Sequence, residues 1–385
     1  MHPSWISLIP PFIVLIVACI IRNLNIALAS GVLCAALVAS KSLNGSLLLI
    51  LNHIENYITD PDHIYLYIAL TAIGILIALF TFTGCAVTFA EIVTRKIRSA
   101  RAAQTSSLVL SSLLFLDDYL SILTSGYVMS SLIDQFRIPR VKLAFLVHSL
   151  AGPLVILAPI SSWAPAINSY LSQSGVDLDL HNNPLILSDP LYLYMRALPF
   201  MFYSFTMIFS VWIIVRKSLS FGPMKSYESN IIPFQQKSID YQAASVTTHH
   251  PVIDLFAPLF VLISSVLFGI AYWGGWSYLG GNHTLLEAFK YNKHTFLILA
   301  LASTAAAITA FILALIRQSI RFSNISFIIL NGFSLMYSAM IMVLLASILG
   351  AMLKNDLHTG NYLASLFLDK VSIEFLPFMF FCIAF

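Results

Sequence analysis

Charge is what this sequence lacks. Only 10% of its 385 residues are Asp, Glu, Lys or Arg, against roughly 25% in an ordinary soluble domain. So few charged groups cannot coat a water-soluble globule of this length, and a hydrophobic content of 59% excludes intrinsic disorder. Cysteine is scarce too. Cys19, Cys34, Cys85 and Cys382 lie in apolar stretches with no CxxC spacing, so neither a disulfide framework nor a zinc site is suggested. A net charge of +3 is too small for a nucleic-acid binder. No basic segment precedes the first apolar run, and Pro10-Pro11 fall inside it, so residues 1–21 read as a retained span rather than a cleaved signal peptide. What remains is an all-α polytopic membrane protein.

Apolar runs of spanning length sit near 6–21, 24–39, 64–90, 143–171, 191–215, 252–276, 294–316 and 325–350. A further run, 105–133, is interrupted by Asp117-Asp118, and a last one starts near Phe375. Basic residues crowd the segments flanking 105–133: Arg95, Lys96, Arg98 and Arg101 before it, Arg137, Arg140 and Lys142 after it. Both segments therefore belong in the cytoplasm. Two full crossings need about 40 residues, more than the run contains. Residues 105–133 are thus expected to form a re-entrant hairpin that holds both aspartates inside the membrane; the alternative is one ordinary span with the pair in its middle, which would put one of the two basic segments outside. Carrying this topology along the chain places 14 Lys and Arg residues inside and 5 outside, with the N-terminus outside.

The long polar stretch 216–250 divides the chain. A first half, 1–215, begins with a crossing from outside to inside. A second half, 251–385, begins with one from inside to outside. Opposed halves are the pattern of inverted-repeat secondary transporters. Matching the hairpin start at 105 with the last apolar run at 375 puts the expected end of the second repeat near residue 485, about 100 residues further on. The second repeat is therefore expected to be incomplete in this sequence, which would make it a truncated form.

The strongest chemical signal is Asp117-Asp118-Tyr119. A carboxylate at membrane depth is expensive, so its default reading is functional. A group at which a proton and a cation compete is what proton-coupled exchange needs; the structural alternative is a pair that caps a helix break. The second signal is Leu157-Ala-Pro-Ile-Ser-Ser-Trp-Ala-Pro165. Pro153, Pro159 and Pro165 break a helix through 143–171. Freed carbonyls with the Ser161 and Ser162 hydroxyls are ligands suited to a small hard cation; the alternative is a kinked packing helix whose serines bond to their own backbone. Thr124, Ser125 and Gly126 fall on the second arm of the hairpin, where small residues allow close packing. His148 is either a proton relay or an interfacial histidine with a local partner.

These segments resemble the NhaC family of sodium/proton antiporters. The resemblance lies in Arg101-Ala-Ala-Gln104, Phe115-Leu-Asp-Asp-Tyr119, Gly126-Tyr-Val-Met129, Arg137-Ile-Pro-Arg140, Ala158-Pro-Ile-Ser-Ser-Trp163 and Phe221-Gly-Pro-Met224. It implies an inverted-repeat ion-transporter fold with a re-entrant hairpin and broken helices. It also implies exchange of Na+ or Li+ for H+ across a bacterial inner membrane. Carried over, Asp117, Asp118, Ser161 and Ser162 would bind the ion and couple it to protons, while Tyr119, Thr124, Ser125, His148, Pro159 and Trp163 would line or gate the site. The chain departs from the family at His148, Leu150, Ser121, Ser130-Ser131 and Ser347, and the family's second-half Gly-Thr-Ser-Trp-Gly-Thr element falls beyond Phe385.

No cofactor is expected, and no metal beyond the transported Na+, because an ion gradient supplies the energy. The expected partners are Na+ or Li+, H+ and membrane lipid, with a homodimer by family analogy and no nucleic acid. Two other readings stay open: a Na+- or H+-coupled carrier of organic acids or amino acids, and a degenerate fragment that transports nothing. An intramembrane enzyme is not expected. Aspartyl proteases take one Asp from each of two spans, whereas these two are adjacent.

Overall fold

The computed structural model describes residues 5–85, 88, 97–115, 118–161, 163–177, 185–229, 251–290, 292–367 and 375. In chain order the α-helices among them are α1 (Ile9–Ile21), α2 (Leu24–Ser40), α3 (Leu43–Thr59), α4 (Pro61–Thr83), α5 (Ala100–Leu113), α6 (Asp118–Gln135), α7 (Arg140–Leu157), α8 (Ala164–Gln173), α9 (Pro190–Ala197), α10 (Phe202–Lys217), α11 (Gly222–Ser229), α12 (Pro251–Trp273), α13 (Leu285–Lys290), α14 (Thr295–Ile316), α15 (Ile325–Ala351) and α16 (Thr359–Phe367). The two described strands, Val176–Asp177 and Ile186–Leu187, are two residues each and pair in parallel. Six helical stretches are long and apolar enough to cross a membrane, or up to seven if a bent pair counts as one span. The protein is an all-α polytopic membrane protein.

Local chemistry sets the helix ends. Pro10-Pro11 open α1, where a missing N–H costs nothing. The Asn23 side chain accepts from the backbone of Asn25 and Ile26 to cap α2. α1 and α2 stop at Arg22 and Lys41, both in the left-handed region. Two expected spans are consequently short. The 6–21 run is a 3-10 turn plus a 13-residue α-helix, and α2 has 17 residues before the chain bends by 118° into α3. α3 itself falls where the sequence reads as loop. Asn44, Asn52, His53, Glu55 and Asn56 deny it a continuous apolar run, but Leu43, Leu47 and Leu51 recur every four residues and form an exposed apolar row.

The chain divides into two compact units, Met1–His63 with Tyr337–Phe385, and Ile64–Met336. In the first, Leu28, Val32, Ala35 and Ala36 of α2 pack with Ile348, Leu349, Met352 and Leu357. Gly31 admits Val14 and Leu349 so closely that a methyl group would collide with them. A π-turn, Met352–Asp356, follows α15, and Asp356 pairs with His53 of α3 at 2.8 Å.

In the second unit α5 and α6 are joined by four residues and pack on each other, and α7 and α10 pack around them. Leu108, Leu146, Leu150, Val211 and Val215 form a core shared by α5, α7 and α10. α12 and α14 form a separate closely packed pair. Arg317, at the end of α14, meets Asp254, in the first turn of α12, at 3.1 Å. Gly74 of α4 rests against the backbone of Gly332 in α15, a contact with no room for a Cβ on either side.

Candidate functional site

The interrupted run 105–133 holds two helices, α5, which ends at Leu113, and α6, which starts at Asp118. Two buried serines ten residues apart tie the arms together: the Oγ atoms of Ser111 and Ser121 lie 2.7 Å apart, and the Ser121 hydroxyl also lies 3.1 Å from the Ser111 carbonyl. Asp118 is the first residue of α6. That end of a helix attracts negative charge, and the carboxylate is half-buried. Asp117 lies outside the described residues. Tyr119 and Thr124 lie on α6. Ser125, two turns after Asp118, is fully buried and its hydroxyl has no hydrogen-bond partner.

The proline-rich run is interrupted as well. α7 ends at Leu157, α8 begins at Ala164, and six residues separate them. Pro153 removes one helical hydrogen bond within α7, and Pro165 sits in the first turn of α8. Through the gap the chain advances by single turns, with Ser161 N–H donating to Ala158 C=O at 3.0 Å and Ala164 N–H to Ser161 C=O at 3.1 Å. The gap has a negative helix end on one side and a positive end on the other. A carbonyl freed near it, that of Ile156, accepts from the hydroxyl of Tyr194 on α9. The Ser161 hydroxyl is 1% exposed and has no partner. Leaving such a group unpaired costs about 1–3 kcal/mol. Ser162 lies outside the described residues, and Pro159 sits in the gap, half-buried.

One contact brings the two elements together: Trp163 Nε1 lies 3.4 Å from Asp118 Oδ1, a long hydrogen bond across 45 positions of sequence. The Trp163 ring is exposed. His148 is also exposed, on the side of α7 away from its buried Leu146, Val147, Ser149 and Leu150.

Two residues with no motif around them also stand out. Asn168 on α8 is fully buried, and neither its amide oxygen nor its nitrogen has a partner. Asp189, ahead of the spans in the loop before α9, is 2% exposed. It caps α9 by accepting from Tyr192 N–H at 3.0 Å and receives a 2.5 Å bond from the Thr295 hydroxyl at the start of α14. Burial pushes its carboxyl up to about 7, against the opposing pull of the Thr295 hydroxyl and the backbone N–H groups of Tyr192 and Leu191. The aspartate directly before Pro190 was a sequence signal for a cap; its burial was not readable.

A family model described as "Na+/H+ antiporter family" matches residues 182–385, more than half of the chain. The chain belongs to that family. The antiporter is also 23% identical, over 382 residues, to an uncharacterized protein of Haemophilus influenzae, an alignment that covers 97% of this chain and 72% of that protein. No solved structure matches it. The matched region begins after the helix pair and the break, so the family rests on the second half of the chain while the candidate site described here lies in the first. Membership makes the protein a multi-pass membrane transporter, a cation/proton antiporter in general, with Na+ and H+ the ions its family implies.

Proposed function

We propose that this antiporter exchanges Na+ or Li+ for H+ across the bacterial inner membrane by alternating access, with its N-terminus outside. The observation that carries the reading is the meeting of Asp118, at a helix start, with Trp163 in a helix gap whose Ser161 hydroxyl is buried and unpaired. Asp118 is the group that holds a proton in one half of the cycle and faces the cation in the other. Ser161, Ser162 and the carbonyls of the gap complete the oxygen ligands, a set suited to a small hard cation. Asp117 adds charge or a further ligand. Trp163 gates the site, and Tyr119, Thr124, Ser125, Pro159 and His148 line the approach to it.

In this reading α5 and α6 enter and leave the membrane from the cytoplasmic face, and 1–215 and 251–385 are inverted repeats joined by the cytoplasmic linker 216–250. The working unit is a homodimer. A transporter of this design needs no catalytic residues and no cofactor, because the ion gradient drives it.

The test is Asp118→Asn in everted vesicles or proteoliposomes, read as the pH change on adding Na+ or Li+. The substitution keeps the size of the side chain and removes the titratable group. Proton flux that responds to the cation should disappear while the thermal midpoint of the purified protein stays put. Wild-type flux in this variant would sink the assignment.

A further inference from the structure

Among the described residues, Ser125 on α6, Ser161 in the gap and Asn168 on α8 are sealed from solvent with polar atoms that bond to nothing. The contrast with α14 is direct. There Ser303 donates back to the Leu299 carbonyl at 2.7 Å and Thr304 to the Ala300 carbonyl at 2.7 Å, the usual solution for a hydroxyl in an apolar helix.

Asn168 is the hardest of the three to satisfy. Its amide has an oxygen that accepts and a nitrogen that donates two hydrogen bonds. A bare cation would serve the oxygen and repel the nitrogen. Apolar packing strands both. An occupant that serves both atoms must itself accept and donate, as water does, or a cation that keeps part of its water. In this conformation the side chain is 0% exposed, so it is closed off from any such occupant. A buried polar group that stays unpaired in one state calls for an explanation, and a second state in which it is wet supplies one.

Position agrees with this. Pro165 and Asn168 are three apart on α8 and both are buried, so they share one face of the helix that continues from the gap. Asn168 lies about 6 Å along the axis of α8 from its first residue, Ala164, at 1.5 Å per residue.

We propose that Asn168 lines a water-filled passage that continues from the gap along α8, closed in this conformation and open in the alternate state of the transport cycle. This rests on the alternating-access reading above.

The experiment places Asn168→Cys in a full-length chain whose Cys19, Cys34, Cys85 and Cys382 are replaced by alanine. The protein is held in detergent so that both faces meet the reagent. Reaction with a charged methanethiosulfonate is followed with and without Na+, at acid and at alkaline pH. The expected result is a labelling rate that changes by about tenfold or more between conditions. A cysteine unreactive under every condition, or equally reactive under all of them, overturns the proposal.

Asn168→Leu is the companion variant. It removes the stranded amide, so the thermal midpoint should rise while exchange slows by about tenfold or more, because the passage no longer wets. A raised midpoint with full exchange would make Asn168 a tolerated packing defect and overturn the inference. The two readings fail separately. A wild-type chain that exchanges no cation for protons sinks the antiport reading, whereas labelling of Asn168→Cys that changes with pH alone still sustains the passage.

Discussion

The α12–α14 pair and the stretch from α6 through the gap to α8 are both apolar, yet they treat their polar atoms in opposite ways. In the pair, Ser303 and Thr304 bond back to their own helix and Asp254 meets Arg317. Small side chains at Ala302, Ala306, Ala310 and Ala314 are buried in α14, and Gly269 of α12 accepts Ile298 where a Cβ would lie 2.7 Å from its Cγ2. Those two hydroxyls are hydrogen-bonded and that carboxylate has an ion-pair partner, and the contact is close. In the other stretch, prolines interrupt the helix, and Ser125, Ser161 and Asn168 hold polar atoms with no partner. Unpaired polar atoms lower stability, so a region that keeps several is tuned to something other than stability in this one state. The pair has the pairing expected of a scaffold, and the interrupted stretch is the one on which the proposed ion site rests.

α9 connects the two regions. Its Tyr194 holds the Ile156 carbonyl at the edge of the gap, and its capping Asp189 is bonded to Thr295 at the start of α14.

The comparison breaks most sharply at the ion pair. Arg317→Ala leaves the Asp254 carboxylate buried without its 3.1 Å partner and should cost roughly 3–5 kcal/mol, seen as a large fall in thermal midpoint in detergent. Replacing both members with apolar residues should recover most of it. If Arg317→Ala is silent, the α12–α14 pair is not the scaffold described.

The link through α9 should respond to pH. Asp189 has its folded-state value raised to about 7 from an ordinary 3.8. The folded chain therefore holds this proton where the unfolded chain has lost it. Its contribution is full below about pH 4 and disappears as pH rises through about 7. The swing is on the order of 2–4 kcal/mol. Asp189→Asn, which still caps a helix, should flatten the fall in thermal midpoint between pH 5 and pH 8. An unchanged pH profile in that variant would remove Asp189 from the account.

A smaller effect is expected where α4 and α15 meet at Gly74 and Gly332. Gly74→Ala drives a methyl group into the Gly332 backbone, which cannot move aside as a side chain would. The expected cost is about 1–3 kcal/mol, again read as thermal midpoint, with transport per folded molecule preserved.

Smallest in stability, and opposite in character, is Ser161→Ala. Deleting an unpaired hydroxyl should leave stability within about 1 kcal/mol of wild type or raise it. Cation-driven exchange should nevertheless need several-fold more Na+ for half its maximal rate. Loss of stability without loss of apparent affinity would turn the gap into ordinary packing and erase the contrast.

Much of this was readable from residues alone. A run broken by Asp117-Asp118 and flanked by basic segments pointed to a re-entrant hairpin; α5 ends ahead of that pair and α6 starts at Asp118, while entry and exit on one membrane face belongs to the proposal. Pro153, Pro159 and Pro165 pointed to a broken helix, and residues 158–163 separate α7 from α8. Proline removes a donor and fixes a dihedral wherever it stands, so its effect is local and legible. α3 was not legible as a helix, because its apolar row alternates with polar residues and never reaches the length of a span. Asn168 and Asp189 carried no warning of their burial, since neither belongs to a charged cluster or a recognisable motif. The exposure of His148 was equally unreadable, because a residue's neighbours across the bundle do not appear beside it in the chain.

By itself the sequence determined that this chain lives in a membrane, through its scarcity of charge and its long apolar runs. It also marked some helix boundaries, through prolines and capping side chains such as that of Asn23. Both are consequences of local chemistry. The tertiary structure decided which polar groups find partners. Arg317 reaches Asp254 across 63 positions, Thr295 reaches Asp189 across 106, and Asn168 reaches nothing. Those outcomes depend on which helix faces pack together, and the free energy of a buried polar atom is set by the atoms that packing brings within about 3 Å of it.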